Sequence, residues 1–167
     1  MAVNGSVPVF GQIVPHLVVR DTEEALSFYQ RVFKAELVYR SLPTSSMGEH
    51  LHLKMWGSLV QISTEEPGQR KGRIEGALLA SPETLSGSTC LFQVRVEDVD
   101  AIFRNAVDEG ASPAWPPTDM FWGDRYGWIR DPFGHIWAFS AVKEILSPEE
   151  VGFRLRRFAE ELKGREL

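Results

Sequence analysis

The sequence contains a single cysteine, so no disulfide can form within the chain. Cys90 lies in an apolar run with Leu91 and Phe92. One cysteine in such a context is typical of a protein from a reducing compartment, and it predicts a buried, unreactive thiol. We therefore expect a cytoplasmic protein.

Basic residues are scarce relative to acidic ones. The 18 lysines and arginines are outnumbered by 23 aspartates and glutamates, which gives a formal net charge of −5 and a sequence pI of about 5.4. Proteins that bind nucleic acid usually carry a basic face and a high pI. The charge balance therefore argues against nucleic acid as a partner.

Long apolar runs are missing as well. No segment approaches the roughly 20 consecutive apolar residues that cross a bilayer. Residues 1–6 also lack the basic start and apolar core of a signal peptide. We expect a soluble protein with no membrane partner.

The residues that are present form one pattern that occurs twice. Asp21 and Asp98 each precede apolar residues at helical spacing, as helix-capping residues do. The two caps are 77 positions apart, and segment 59–63 matches segment 136–140 at the same separation. Short apolar strands before and after each helix predict an α+β fold of tandem βαβββ modules. Module one covers about 13–64 and module two about 90–142, joined by a linker at 65–89 within a single domain of 1–146.

Segment 147–167 predicts one further helix. Ser147 and Pro148 are typical of a helix start, and the apolar residues that follow fall on one stripe, namely Val151, Leu155, Phe158 and Leu162. We expect this amphipathic helix to dock on the domain or on a dimer partner. A membrane-surface helix is the less favoured alternative, because Glu160 and Glu161 dilute its basic face.

Strand alternation separates two faces on the matched last strands of the modules. A bulky apolar set suits the side covered by helices: Val60, Ile62, Trp137 and Phe139. A mixed set suits a ligand cavity, because small-molecule sites combine apolar walls with a few polar groups. That set contains Leu59, Gln61, Ser63, Ile136, Ala138 and Ser140. Trp128, like Trp137, is expected in the core.

Segment 120–137 carries a family resemblance. It combines Gly123-Asp124-Arg125-Tyr126-Gly127 with Asp131-Pro132-Phe133-Gly134-His135, and the resemblance returns near the start as Pro15-His16-Leu17-Val18-Val19-Arg20-Asp21 followed by Phe28-Tyr29. These motifs resemble the vicinal oxygen chelate superfamily of glyoxalase I, bleomycin-resistance proteins and extradiol dioxygenases, in particular its PhnB-like branch. The resemblance implies a half-open, barrel-like sheet with a ligand cleft, and a homodimer.

The resemblance also raises the question of a metal ion. In metal-dependent members the ligands come from the first and last strands of each module, and the matching positions here are Val14, Gln61, Leu91 and Ala138. Three of these four cannot coordinate a metal, since such sites need imidazole, carboxylate or thiolate ligands. We therefore expect no metal and no other cofactor.

The favoured function is metal-independent binding of an aromatic or heteroaromatic small molecule in the cleft, with stacked rings and hydrogen bonds. The candidate ligand-binding residues are His16, His52, Gln61, Trp115, Phe121, Trp122, Asp124, Arg125 and Tyr126. The Asp-Arg-Tyr trio is equally compatible with a structural role in its own loop. His135 is expected to bond the backbone of its turn.

Two other functions stay open. A shifted metal site at His16, His52 and Gln61 would suit a lyase, isomerase or dioxygenase, although that set lacks a carboxylate. In such an enzyme Tyr126, His16 or His52 would act as acid or base. A structural or partner-binding protein is the third possibility, which the C-terminal helix would serve.

Overall fold

The computed structural model describes residues 13–41, 43, 48–65 and 79–163 of the 167-residue chain, without the side chain of Leu162. Module one contains β1 (His16–Val19), α1 (Thr22–Phe33), β2 (Glu36–Ser41), β3 (His50–Met55) and β4 (Ser58–Thr64). These strands form the first sheet in the order β1-β4-β3-β2. Strand β1 runs parallel to β4, and the other neighbours are antiparallel.

Module two repeats this order. After a short helix α2 (Pro82–Leu85) come β5 (Leu91–Arg95), α3 (Val99–Asp108), β6 (Ser112–Asp119), β7 (Asp124–Arg130) and β8 (Ile136–Val142). The second sheet has the order β5-β8-β7-β6, with β5 parallel to β8. A last helix, α4 (Pro148–Lys163), follows. The predicted α+β fold of tandem βαβββ modules with a C-terminal helix is therefore confirmed.

The two long module helices begin where the sequence indicates. Asp21 is extended, and its carboxylate accepts from the backbone N–H groups of Glu23 and Glu24 at 2.9 Å. Asp98 accepts from Ala101 N at 2.9 Å. These caps satisfy backbone donors that a first helical turn leaves unpaired. The matching caps fix the same helix start in both modules.

The modules share one core, because α1 packs against both sheets. Its buried rings lie on its own sheet and also contact module two: Phe33 is 4.9 Å from Trp137 and 6.0 Å from Phe139 between ring centroids. Tyr29 lies 5.8 Å from Trp137. Trp137 is buried, as expected. Aromatic pairs at these separations stabilise a core beyond the area they bury.

A buried carboxylate joins the modules. Asp131 Oδ2 accepts from Tyr29 OH at 2.7 Å and from Trp137 Nε1 at 2.9 Å, while Oδ1 accepts from the backbone N–H groups of Phe133 and His135. Burial raises the pKa of Asp131, and burial followed by the Asp131 charge raises the pKa of Tyr29 well above its usual value. Four donors converge on Asp131, so only the ionised carboxylate accepts from all of them.

His135 adds a second tie between modules. Its ring Nε2 donates to the backbone carbonyl of Val18 on β1 at 3.1 Å, and burial lowers its pKa. The neutral ring therefore holds strand β1 against the Asp-Pro-Phe-Gly-His turn. This placement agrees with the structural role expected for His135, and it extends that role from one turn to the joint between modules.

Cys90 differs from its predicted environment. The thiol is exposed, because the residue lies just before β5, at an edge of the second sheet, rather than inside the core. The expectation of a buried thiol was therefore wrong. Among the residues that the structure describes, no helix is long and apolar enough to cross a membrane.

Candidate functional site

Helices cover one face of each sheet, and we call the opposite face its open face. On the first sheet, strand register places His16 beside Gln61 and Gln61 beside His52. A hydrogen bond of 2.9 Å joins His16 Nε2 to Ser63 Oγ, and the Gln61 amide nitrogen lies 3.1 Å from His52 Nε2. The ring of His50 lies 6.0 Å from that of His16. The open face of the first sheet is thus a polar cluster of three imidazoles.

Partial or nearly complete burial affects two of these imidazoles, His16 and His52. It lowers the pKa of His16, which the neighbouring His50 and His52 lower further. Burial, followed by the charge of His50, also lowers the pKa of His52. His52 is only 5% exposed, and its Nδ1 has no hydrogen-bond partner within the described part of the chain. Neutral imidazoles can exchange hydrogen bonds with a ligand or act as proton acceptors.

The donor set does not suit a metal ion. The residue directly beside Gln61 is His16 rather than Val14, and the one directly beside Ala138 is Gln93 rather than Leu91. In the ranges that the structure describes, no three His, Cys, Asp or Glu side chains are grouped so that they could hold a metal. His16 and His52 are engaged by Ser63 and Gln61.

The repeat explains part of this arrangement. His16 and Ser63 of module one correspond to Gln93 and Ser140 of module two, where Gln93 Nε2 donates to Ser140 Oγ at 3.4 Å. A side chain of the first strand therefore hydrogen-bonds a serine of the last strand at the same place in both sheets. This favours a positioning role for the His16–Ser63 bond over a nucleophile and base pair, because Gln93 cannot act as a base.

The open face of the second sheet is rich in rings. Register places Trp115 beside Trp128 and Trp128 beside Ala138 on one row. On the next row Tyr126 pairs with Ser140. Trp115 Nε1 is buried and has no hydrogen-bond partner among the described residues. Trp128 is half-buried here instead of lying in the core, since alternation along β7 directs Ile129 to the helices and Trp128 to the open face.

The turn between β6 and β7 adds two more rings. Trp122 packs edge-on against Tyr126, with ring centroids 5.5 Å apart, and Phe121 packs edge-on against Trp122 at 4.8 Å. Gly123 closes this turn at φ +96°, and its N–H donates to Met120 O at 3.0 Å. The turn therefore places Trp122 at the rim of the open face.

The predicted Asp-Arg-Tyr trio is divided between two faces. Asp124 and Tyr126 point to the open face, where Asp124 lies 3.9 Å from the Arg95 guanidinium. Arg125 points to the helix side and binds Asp100 at 2.6 Å and Asp119 at 3.1 Å. Its hydrogen bonds to Asp100 are the main cause of its raised pKa, and they lower the pKa of Asp100.

The structure thus forms two groups from the candidate residues. His16, His52 and Gln61 meet on the first sheet, whereas Trp115, Trp122, Asp124 and Tyr126 meet on or beside the second, with Phe121 behind Trp122. Arg125 stands apart from both groups. The sequence interpretation missed Arg95 and Trp128, which the period of two in strands β5 and β7 would have assigned to the open face once the strand bounds were known.

The fold and these faces define a glyoxalase-type protein of two βαβββ modules. The chain belongs to the Glyoxalase/Bleomycin resistance protein/Dioxygenase superfamily, whose family model matches residues 10–139. An uncharacterised protein of Mycobacterium tuberculosis is 32% identical over 137 residues, which cover 82% of this chain and 78% of that protein.

Solved structures agree with this assignment. TioX from Micromonospora sp. ML1 is 29% identical, with a TM-score of 0.56, and the match covers 80% of this chain and 99% of TioX. A gene product of Arabidopsis thaliana is 25% identical, with a TM-score of 0.58 and coverage of 80% and 100%. The fosfomycin resistance protein FosX from Listeria monocytogenes shares the fold at 16% identity, with a TM-score of 0.56 and coverage of 86% and 99%.

Proposed function

We propose that the protein binds a planar aromatic or heteroaromatic small molecule, without a metal, on the open face of the second sheet. One observation carries this proposal, the gathering of Trp115, Trp122, Tyr126 and Trp128 around the small residues Ala138 and Ser140. Ala138 and Ser140 are themselves fully buried, so a flat ligand would stack on the rings rather than on these small residues. Stacking contributes about 0.5–1.5 kcal/mol beyond the apolar area that is buried.

Polar groups at the edge of this face would orient the ligand. Arg95 has an exposed guanidinium, and Gln93 lies beside Ala138 on the same face. A guanidinium can stack on a ring or bind a carboxylate with two hydrogen bonds. Arg95 takes the place that the sequence interpretation assigned to Arg125, whose guanidinium is occupied by Asp100 and Asp119.

We also propose a homodimer in which a second copy covers the open faces. Within the described ranges, the residues at the edges of these faces remain uncovered, including His16 and Leu91. The imidazole cluster with Gln61 would then supply polar contacts to a ligand bound between copies. Dimers of this kind are usually two-fold symmetric. Light scattering should give twice the 18.8 kDa chain mass, and a single-chain mass at micromolar concentration would refute the dimer.

Two finer assignments accompany the proposal. The motif Pro15–Asp21 supports placement in the PhnB-like branch of the superfamily, and the single cysteine supports a cytoplasmic location. Neither assignment affects the ligand site.

An enzyme is the second candidate, favoured by one observation. His16 and His52 have lowered pKa values, so both are neutral near pH 7 and could accept a proton from a substrate. Such an enzyme would be a lyase, isomerase or dioxygenase. Conversion of a bound compound, lost in His52→Gln, would distinguish this function from binding alone.

The test begins with protein purified without chelators. Elemental analysis should find no stoichiometric transition metal, and calorimetric titration should then screen planar compounds, with quinoline as a small neutral member. Trp122→Ala should weaken binding by roughly tenfold, since about 1.4 kcal/mol corresponds to a factor of ten.

His135→Ala is the control. It should lower the melting temperature while leaving affinity unchanged, because the ring of His135 binds Val18 and lies off the open face. Unchanged binding by Trp122→Ala, together with lost binding by His135→Ala at constant stability, would show that the ligand binds elsewhere.

A further inference from the structure

Helix α4 lies outside the part of the chain that the family model matches, which ends at residue 139. Ser147 caps it, with Glu150 N donating to Ser147 Oγ at 3.2 Å. Arg154 binds Glu150 one turn earlier and Glu144 in the preceding connection. The helix is therefore anchored beside the second sheet.

A line of rings connects α4 to the open face. Phe158 of α4 lies 5.5 Å from Phe121, and Phe121 lies 4.8 Å from Trp122. Trp122 in turn lies 5.5 Å from Tyr126 on the open face. Packed side chains that touch in series transmit a displacement at one end to the other. Phe121 therefore lies between α4 and Trp122 and is in contact with both.

The backbone between β8 and α4 holds the same turn. Lys143 N and Glu144 N both donate to Gly123 O, at 2.9 and 3.1 Å. A Cβ atom at Gly123 would come within 2.4 Å of Glu144 O, so the two backbones are in close contact. The Phe121–Trp122 turn is therefore supported on one side by this connection and on another by Phe158.

We propose that α4 is a positioning element of the ligand site, and that Phe158 is the residue through which it sets the orientation of Trp122. This inference rests on the proposed function, since it assigns α4 a role in that same site. Trp122 forms the rim of the ringed face, and a rim ring contributes stacking only at the correct angle and distance. Without Phe158, Phe121 loses its support and Trp122 gains alternative orientations.

The matched control lies on the same helix. Leu155 is 44% exposed, so replacing it removes an apolar side chain from α4 without affecting the ring contacts. Phe158→Tyr retains the ring, and Phe158→Leu retains apolar bulk if the alanine variant unfolds. Melting curves on all variants of the full chain establish that each one is folded.

The experiment uses protein labelled with 5-fluorotryptophan, in which ¹⁹F NMR resolves the five tryptophans. Substitution of each tryptophan by phenylalanine assigns the signals. In Phe158→Ala the Trp122 signal should shift or broaden, while the signal of the core residue Trp137 stays unchanged. Quinoline titrated into the same samples should bind Phe158→Ala about two- to tenfold more weakly than the parent. Leu155→Ala and Phe158→Tyr should match the parent in both measurements.

The outcomes separate this inference from the proposed function. An unchanged Trp122 signal in Phe158→Ala and in Phe158→Leu overturns the positioning role, whether or not these variants bind quinoline. A shifted signal with parental quinoline affinity overturns the link between α4 and the site. If the signal shifts but the parent protein binds no planar compound, the proposed function fails while the positioning of Trp122 by Phe158 through Phe121 stands.

Discussion

The hydrogen bond from Tyr29 to Asp131 offers a direct measure of how strongly the two modules are joined. Tyr29 is fully buried, and its hydroxyl donates to Asp131 Oδ2 at 2.7 Å across 102 positions of sequence. Tyr29→Phe removes only this hydroxyl and keeps the ring, so the core loses no packing. It leaves Oδ2 with one donor, Trp137 Nε1.

The magnitude follows from the charge of the acceptor. A hydrogen bond to a buried charged group contributes about 1.5–3 kcal/mol to the free energy of unfolding. In a chain of this length that loss lowers the melting temperature by about 3–12 °C, at about 2–4 °C per kcal/mol. With a urea m-value near 2 kcal/mol/M, the unfolding midpoint should fall by about 1 M.

Urea unfolding at pH 7.5 measures the effect, and Tyr39→Phe is its control. Tyr39 is half-buried and its ring packs beside His52, away from the joint between the modules, so loss of its hydroxyl should change stability by less than about 0.5 kcal/mol. A cycle with Asp131→Asn should show coupling of about 0.5–3 kcal/mol. Equal stability of Tyr29→Phe and the parent, or strict additivity in the cycle, would refute the proposed tie.

Three further predictions concern the turn, pH and charge. Gly123→Ala should lower stability by at least about 1 kcal/mol more than Gly57→Ala, because both glycines have positive φ but only Gly123 meets backbone at 2.4 Å; equal unfolding midpoints would contradict this. Three folded-state imidazoles have pKa values below that of an unfolded histidine, about 6.5, so the unfolded chain binds more protons and the free energy of unfolding should fall as pH drops below that value. These are His16, His52 and His135, and a melting temperature that rises between pH 7.5 and 5.5 would contradict the prediction. Arg95→Ala should weaken binding of quinoline-2-carboxylate while Arg125→Ala leaves it unchanged, because of these two arginines only Arg95 lies on the open face. If calorimetry showed the reverse, Arg125 rather than Arg95 would be the ligand-binding arginine.

The sequence by itself determined the order of helix and strands in each module and the duplication of that module. Caps at Asp21 and Asp98 act within one helical turn, and strand alternation acts between neighbouring residues, so both signals are local and survive without knowledge of the fold. The separation of 77 positions between matched segments then predicts the duplication, which the register of His16 with Gln61 and of Gln93 with Ala138 confirms.

Strand bounds limited the assignment of the site. Asp124, Arg125 and Tyr126 read as one loop group in the sequence, but β7 begins at Asp124, so alternation sends Arg125 to the opposite face. The residue at which β7 begins depends on where Gly123 closes the preceding turn. Backbone hydrogen bonds from Lys143 and Glu144, in the connection after β8, hold that turn. A contact between distant segments therefore decided which residues share a face.

Only the tertiary structure decided how the modules meet. Nothing local to Tyr29 indicates a partner 102 positions away, and nothing local to α1 indicates that its rings pack on Trp137 as well as on their own sheet. The same holds for Phe158, whose helical stripe predicts an apolar face without indicating that Phe121 lies against it. Periodicity records which side of an element is apolar, whereas the partner of that side depends on how the whole chain packs.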